Sequence, residues 1–158
     1  RILPGVANAL GMLRNRYFII VITNQSGIAR GLMTEEDLAA IHTELVRRFA
    51  DENVAVDALY YCPHLPGATN PTYGVECECR KPRPGMLKQA ASDWELDLSR
   101  SFLVGDRPSD IQAADAAGVK AILLREAAEE PCKTLIITRD LLKAAGLILA
   151  QKQVPATS

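Results

Sequence analysis

The chain has 158 residues, 48% hydrophobic and 23% charged, with 18 Lys and Arg against 19 Asp and Glu and a formal net charge of −1. That is ordinary globular usage at the length of one domain, so wholesale disorder, collagen and coiled coil are excluded. Such a charge argues against a broad basic face for nucleic acid, and the apolar run Tyr17–Ile22 is far short of the roughly 20 residues that span a bilayer.

Helix-like and strand-like stretches alternate. Val6 to Arg14 predicts a helix, and the continuous apolar run Tyr17–Thr23 a strand buried on both faces. Thr34, with Asp37 three residues on, predicts a capped helix whose apolar stripe is Leu38, Ile41, Leu45 and Phe49. His42 lies beside that stripe and is assigned a structural role. Val54 to Tyr61 is the next strand. Gly85 to Trp94 forms a helix that buries Leu87, Ala90, Ala91 and Trp94. Phe102–Val104 is a strand that ends at Gly105-Asp106. A short helix starts at Ser109 or Asp110 and stops at Gly118. Strands at Ala121–Leu124 and Leu135–Thr138 and a helix from Asp140 to about Gln151 complete the pattern. Alternation with short loops predicts an α/β fold with a mostly parallel sheet. A single domain is expected over residues 1–150, with a frayed tail over 151–158.

In such sheets ligands bind at the carboxyl ends of strands. Thr23-Asn24, Cys62-Pro63-His64 and Gly105-Asp106 all sit at predicted strand ends.

Three of the four cysteines, Cys62, Cys77 and Cys79, cluster with His64 around a loop rich in Pro, Gly and Asn. Three thiolates and an imidazole match a closed tetrahedral Zn²⁺ site with no position left for water or substrate, so the loop 62–79 is read as a structural zinc loop. The bland alternative is four reduced side chains without metal. Clustered rather than dispersed cysteines predict a reducing, cytoplasmic compartment, and no basic leader followed by an apolar stretch is visible. Cys132 is read as a small, partly buried apolar residue.

Arg80-Lys81-Pro82-Arg83 abuts this loop. It is either a solvated basic loop or an anion site, with Lys81 as a point charge and Arg80 as a fork for oxygen atoms. Asp106, directly after a strand, suits Mg²⁺, with Asp110 either a helix cap or a more distant partner of the same ion. The hydroxyl and the amides of Thr23-Asn24-Gln25-Ser26-Gly27 can cradle phosphate oxygens, and Arg30 adds a cation downstream.

Together these motifs resemble the haloacid-dehalogenase superfamily of phosphatases. Its second motif looks like Thr23-Asn24, its third like Lys81, and its fourth like Gly105-Asp106 with Asp110. The stretch Ile22–Gly31, the Cys62/His64/Cys77/Cys79 loop and Cys79–Met86 look like the branch that acts on heptose 1,7-bisphosphate. Histidinol phosphatases, which share the zinc loop, are the nearest alternative. The resemblance implies a Rossmann-like three-layer sandwich and a Mg²⁺-dependent sugar-phosphate phosphatase that removes the 7-phosphate. It implies that Thr23 and Lys81 hold the transferred phosphoryl group, with Thr23, Lys81 and Asp106 as catalytic residues. Asn24, Gln25, Ser26, Arg80 and Arg107 would bind substrate, and Asp106 would ligate Mg²⁺.

One feature of the superfamily is absent. Its first motif, Asp-x-Asp on a central strand, supplies the attacking carboxylate and the general acid. This chain has no Asp before Asp37. The expectation is therefore a missing central strand between Tyr17–Thr23 and Phe102–Val104. Either those two strands close up, or roughly ten to thirty residues precede Arg1 in the natural protein. A phosphate-binding module without turnover and a zinc-ribbon nucleic-acid binder are the competing readings. The expected partner is a small phosphorylated sugar, with no nucleic acid or membrane, and the expected state is a monomer.

Overall fold

The computed structural model describes residues 2–125 and 136–151. Its elements in chain order are α1 (Val6–Leu13), β1 (Ile20–Asn24), α2 (Glu35–Asp51), β2 (Ala58–Cys62), α3 (Gly85–Trp94), β3 (Phe102–Gly105), α4 (Pro108–Ala117), β4 (Lys120–Leu124), β5 (Ile136–Thr138) and α5 (Leu141–Ala150), with a 3₁₀ turn at Leu98–Arg100 before β3. Every strand pairing is parallel, as the α/β pattern requires. The expectations for Cys132 and the residues after Gln151 lie outside the described residues.

Two layers of helices sandwich the strands. On one face Ala9 and Leu13 of α1 meet Ala144, Ala145 and Ile148 of α5 over Ile122 of β4, and the alanines let the two helices approach closely. On the other face Leu103, Ala114 and Val119 form a second core, joined by Ile22 of β1 and Leu87 of α3. Burial of the strands from both sides explains why they read as unbroken apolar runs.

Several boundaries shift for identifiable reasons. β1 starts at Ile20 rather than Tyr17, because the Tyr17 amide still donates to the Leu13 carbonyl at 3.0 Å in the last turn of α1. β2 starts at Ala58 rather than Val54, because the Val54 amide is tied to the Phe49 carbonyl at 2.9 Å. Asp57 then locks the entry to β1: its carboxylate accepts from the Ile19 amide at 2.7 Å and from Arg14 at 2.7 and 2.9 Å.

The Thr34 cap forms as expected, with the Asp37 amide donating to Thr34 Oγ1 and the Thr34 amide to Asp37 Oδ2. The stripe of α2 is turned by one residue. Leu38 and Phe49 are buried, but Ile41 is 52% exposed, and His42 faces inward with its ring edge-on to Tyr61. The buried row is therefore 38-42-45-49, a better match to 3.6 residues per turn than one containing Ile41. In α3 the fully buried positions are Met86 and Ala90, while Leu87, Ala91 and Trp94 are half-buried.

The strands form two sheets, β1–β2 and β3–β4–β5. β1 and β3 do not close up. Their facing edges line one cleft of about 1350 Å³. Apolar side chains such as Leu13, Ile19, Val104 and Ile148 line its depth, and Thr23, Lys81 and Asp106 line it at the carboxyl ends of the strands.

Candidate active site and metal centre

β1 ends in Thr23-Asn24, and β3 ends in Gly105 immediately before Asp106. The segment Arg80-Lys81, between the 62–79 loop and α3, lies against both. Thr23, Asn24, Ser26, Arg80, Lys81, Asp106, Arg107 and Asp110 all line the cleft. Residues spread over 88 positions of sequence are thus gathered at one mouth, as the strand-end argument expects.

Lys81 is the most constrained of them. Its Nζ lies 2.7 Å from Asp110 Oδ1 and donates to the Ile22 carbonyl at 3.2 Å. Its main chain is clamped by Asn24: the Lys81 amide donates to Asn24 Oδ1 at 3.1 Å, and Asn24 Nδ2 donates to the Lys81 carbonyl at 3.0 Å. Asp110 is buried, and its other oxygen accepts from the Arg107 amide at 3.0 Å, so it serves both as a helix cap and as a partner for the lysine. Gly105 is needed for this: a Cβ there would collide with the Asp110 carboxylate. Asp106 is exposed at the mouth.

The Thr23 hydroxyl oxygen accepts from Gln25 Nε2 at 3.2 Å, which leaves its own O–H to donate elsewhere. Gln25 therefore reaches Thr23, and its amide continues the β1–β2 ladder to the Cys62 carbonyl at 2.8 Å. Arg80 donates from its guanidinium to the His64 carbonyl at 2.8 Å while lining the cleft. Arg30 is exposed and is not among the residues that line the cleft.

The sulfurs of Cys62, Cys77 and Cys79 and the Nδ1 of His64 all lie within 4.8 Å of one another. The Cys62–Cys79 sulfurs are 2.9 Å apart, Cys77 lies 3.5 Å from Cys62 and 3.4 Å from Cys79, and His64 Nδ1 is 3.4 Å from Cys79. Burial, and then the neighbouring sulfurs, push the Cys79 thiol far up; burial also raises Cys62. Such thiols ionise together only if a cation compensates them, so the donor set fits a thiophilic metal with these four ligands. The loop is fastened by residues the sequence did not single out. Glu35, in the first turn of α2, accepts from the Tyr73 hydroxyl at 3.0 Å and the Tyr61 hydroxyl at 3.4 Å. Arg83 bonds Glu76, Glu78 and the Cys77 carbonyl. An acid and two tyrosines far apart in sequence carry no spacing signal; only the fold brings them together.

The family model for HAD-hydrolase-like proteins matches residues 78–140, the segment that carries Arg80, Lys81, Asp106 and Asp110. A D-glycero-beta-D-manno-heptose-1,7-bisphosphate 7-phosphatase of Rhodopseudomonas palustris is 42% identical over 120 residues, 75% of this chain and 67% of the relative. The chain belongs to the haloacid-dehalogenase-like phosphatases. A second family member, a D-glycero-alpha-D-manno-heptose-1,7-bisphosphate 7-phosphatase of Burkholderia mallei, is 45% identical over 122 residues, 77% of this chain and 62% of the relative. The crystal structure of D,D-heptose 1,7-bisphosphate phosphatase from B. bronchiseptica, complexed with magnesium and phosphate, superimposes with a TM-score of 0.78 at 34% identity, covering 93% of this chain and 83% of that one. The match to the two curated relatives spans 67% and 62% of their lengths.

No helix among the described residues is long and apolar enough to cross a membrane.

Proposed function

We propose that this chain forms the body of a Mg²⁺-dependent phosphatase that removes the 7-phosphate of a heptose 1,7-bisphosphate. The observation that carries the reading is the convergence of Thr23, Lys81 and Asp106 on one cleft mouth, with the Lys81 ammonium held in place by Asp110 and Ile22. Phosphoryl transfer needs positioning and neutralisation of charge on three equatorial oxygens. Lys81 supplies a fixed positive charge, Thr23 a hydroxyl donor, and Arg107 and Ser26 further polar contacts. Arg80 reads the rest of the substrate from the edge of the metal loop.

Asp106 is the residue that would hold Mg²⁺. One exposed carboxylate beside a bound phosphate suits an ion that keeps several waters and binds few protein ligands. When bound, the ion would neutralise phosphoryl oxygens. Zn²⁺ in the Cys62/His64/Cys77/Cys79 site would be structural and would fix the loop that presents Arg80 and Lys81.

The attacking group is not among the described residues. Asp106 and Asp110 are the carboxylates at the cleft mouth; the first is assigned to the metal and the second is bound to Lys81 and the Arg107 amide. The reading therefore requires a further strand in the cleft between β1 and β3, parallel to both, that brings a carboxylate to Thr23 and Lys81. Its oxygen would attack phosphorus, the bond to the sugar oxygen would break, a second acid would protonate that oxygen, and water would hydrolyse the acyl phosphate.

The test is to join an Asp-x-Asp strand segment ahead of residue 1 and measure phosphate release from both anomers of heptose 1,7-bisphosphate, with histidinol phosphate as the competing substrate. Mg²⁺-dependent release from the heptose supports the reading, and preference for histidinol phosphate overturns its substrate. A second reading, phosphate binding without turnover, is favoured by the lack of a free carboxylate at the mouth. It predicts Mg²⁺-dependent phosphate binding and no release even with the strand restored.

A further inference from the structure

We infer that Asn24 is a positioning residue that acts on the reaction through Lys81, and not through the substrate contact that its motif suggests. The inference rests on the reading of Lys81 as the cation that holds phosphate. Asn24 is the last residue of β1, and Lys81 follows 57 positions later in a turn with no strand or helix of its own. A lysine on such a turn has four side-chain torsions and no neighbour in a ladder to fix its main chain. Asn24 supplies what a ladder would. Its amide oxygen accepts from the Lys81 amide at 3.1 Å, and its amide nitrogen donates to the Lys81 carbonyl at 3.0 Å.

This pairing reproduces with one side chain the two-bond exchange that neighbouring strands make. Only a carboxamide of this length can do it, because it offers a donor and an acceptor side by side. Asp would keep the acceptor and lose the donor.

The ammonium end is held by the same strand. Lys81 Nζ donates to the carbonyl of Ile22, two residues before Asn24 on β1. β1 thus grips both ends of the lysine, while Asp110 of α4 sets its direction across the cleft. On the other side Arg80 is tethered to the His64 carbonyl of the metal loop. Without Asn24 the Arg80-Lys81 pair would hang from the metal loop alone. A charge misplaced by about an ångström loses much of its effect on the phosphoryl group.

The experiment is a double-mutant cycle on the 158-residue chain, with inorganic phosphate as the probe at saturating Mg²⁺ and affinity read by titration and by ³¹P line broadening. Lys81→Ala is expected to weaken phosphate binding about tenfold or more, the loss typical of a charge-assisted hydrogen bond. Asn24→Ala is expected to weaken it about five- to tenfold. In the Lys81→Ala background, Asn24→Ala is expected to change it by less than about twofold, since the group it positions is gone. Losses that multiply in the double variant would mean that Asn24 touches phosphate directly or acts by general loosening, and would overturn the inference. So would an Asn24→Ala chain that binds phosphate as the parent does. If Lys81→Ala leaves binding unchanged, the phosphate-site reading itself falls and takes this inference with it, an outcome distinct from either of the others. If Asn24→Ala does not fold, Asn24→Ser, which stays polar but is too short to reach both main-chain groups, enters the same cycle with the same expected pattern.

Discussion

Lys81 and Asp110 form an ion pair at 2.7 Å whose side chains are only 13% and 7% exposed. Breaking such a pair from one side strands a charge in a poorly solvated place, which costs about 3–5 kcal/mol in typical cases. Asp110→Ala is therefore expected to destabilise the chain by about 3 kcal/mol in urea unfolding, since it also removes the cap on the Arg107 amide. Asp106→Ala, at an exposed position one turn away, is expected to change stability by less than about 0.5 kcal/mol. Equal losses for the two would refute the distinction drawn between a structural and a metal-facing carboxylate.

Gly105 tests the same contact from the opposite side. Any side chain there runs into the Asp110 carboxylate. Gly105→Ala is expected to cost about 1–3 kcal/mol from overpacking and to weaken phosphate binding by displacing the partner of Lys81. Gly11, with open space around its would-be Cβ in α1, is the control: Gly11→Ala is expected to be neutral or stabilising.

The sequence pattern was most informative where a signal is local. The Thr34–Asp37 cap, the Gly85–Trp94 helix and the stop at Gly118 were all legible because each depends on residues within a few positions. The Cys62/His64/Cys77/Cys79 cluster was legible because its chemistry is confined to eighteen residues. Ile41 was misplaced because position 42 is polar by composition yet apolar by ring face, so His42 took the inward place against Tyr61. The Asn24 clamp and the Glu35–Tyr73 contact left no trace in the sequence, since both span tens of residues and use side chains that are equally common on surfaces. The motifs placed Thr23, Lys81 and Asp106 together. They did not reveal that Arg80 is also a tether to the His64 carbonyl.

That tether leads to an expectation for the metal. The chain is expected to bind one equivalent of Zn²⁺, and a chelator is expected to raise hydrogen exchange over residues 62–83 while α1 and α5 stay protected. Arg80 loses its anchor once the His64 carbonyl moves, so phosphate affinity is expected to fall in step. Unchanged exchange around Arg80 and Lys81 after metal removal would separate the loop from the site.

A milder pH effect comes from α2. Hydrogen bonds from Arg47, then Arg48, hold the Glu44 carboxyl down at about 2 against an ordinary value of 4.5. A carboxyl depressed in the folded state adds stability that is present above its unfolded value and is lost as pH falls through the folded one. Glu44→Gln is therefore expected to flatten the decline in melting temperature between pH 4.5 and about 2. The pair is fully exposed, so the effect is small and is expected to vanish in high salt.

The convergence of Thr23, Lys81 and Asp106 into a phosphoryl-transfer site is tested most directly by position-resolved ³¹P NMR. The chain, extended by an Asp-x-Asp strand, is incubated with heptose 1,7-bisphosphate and Mg²⁺. The 7-phosphate signal is expected to convert to free phosphate while the 1-phosphate signal persists, and Lys81→Ala is expected to slow that conversion by about 10²–10³-fold. Loss of the 1-phosphate first, or a Lys81→Ala chain as fast as its parent, would contradict the site described here.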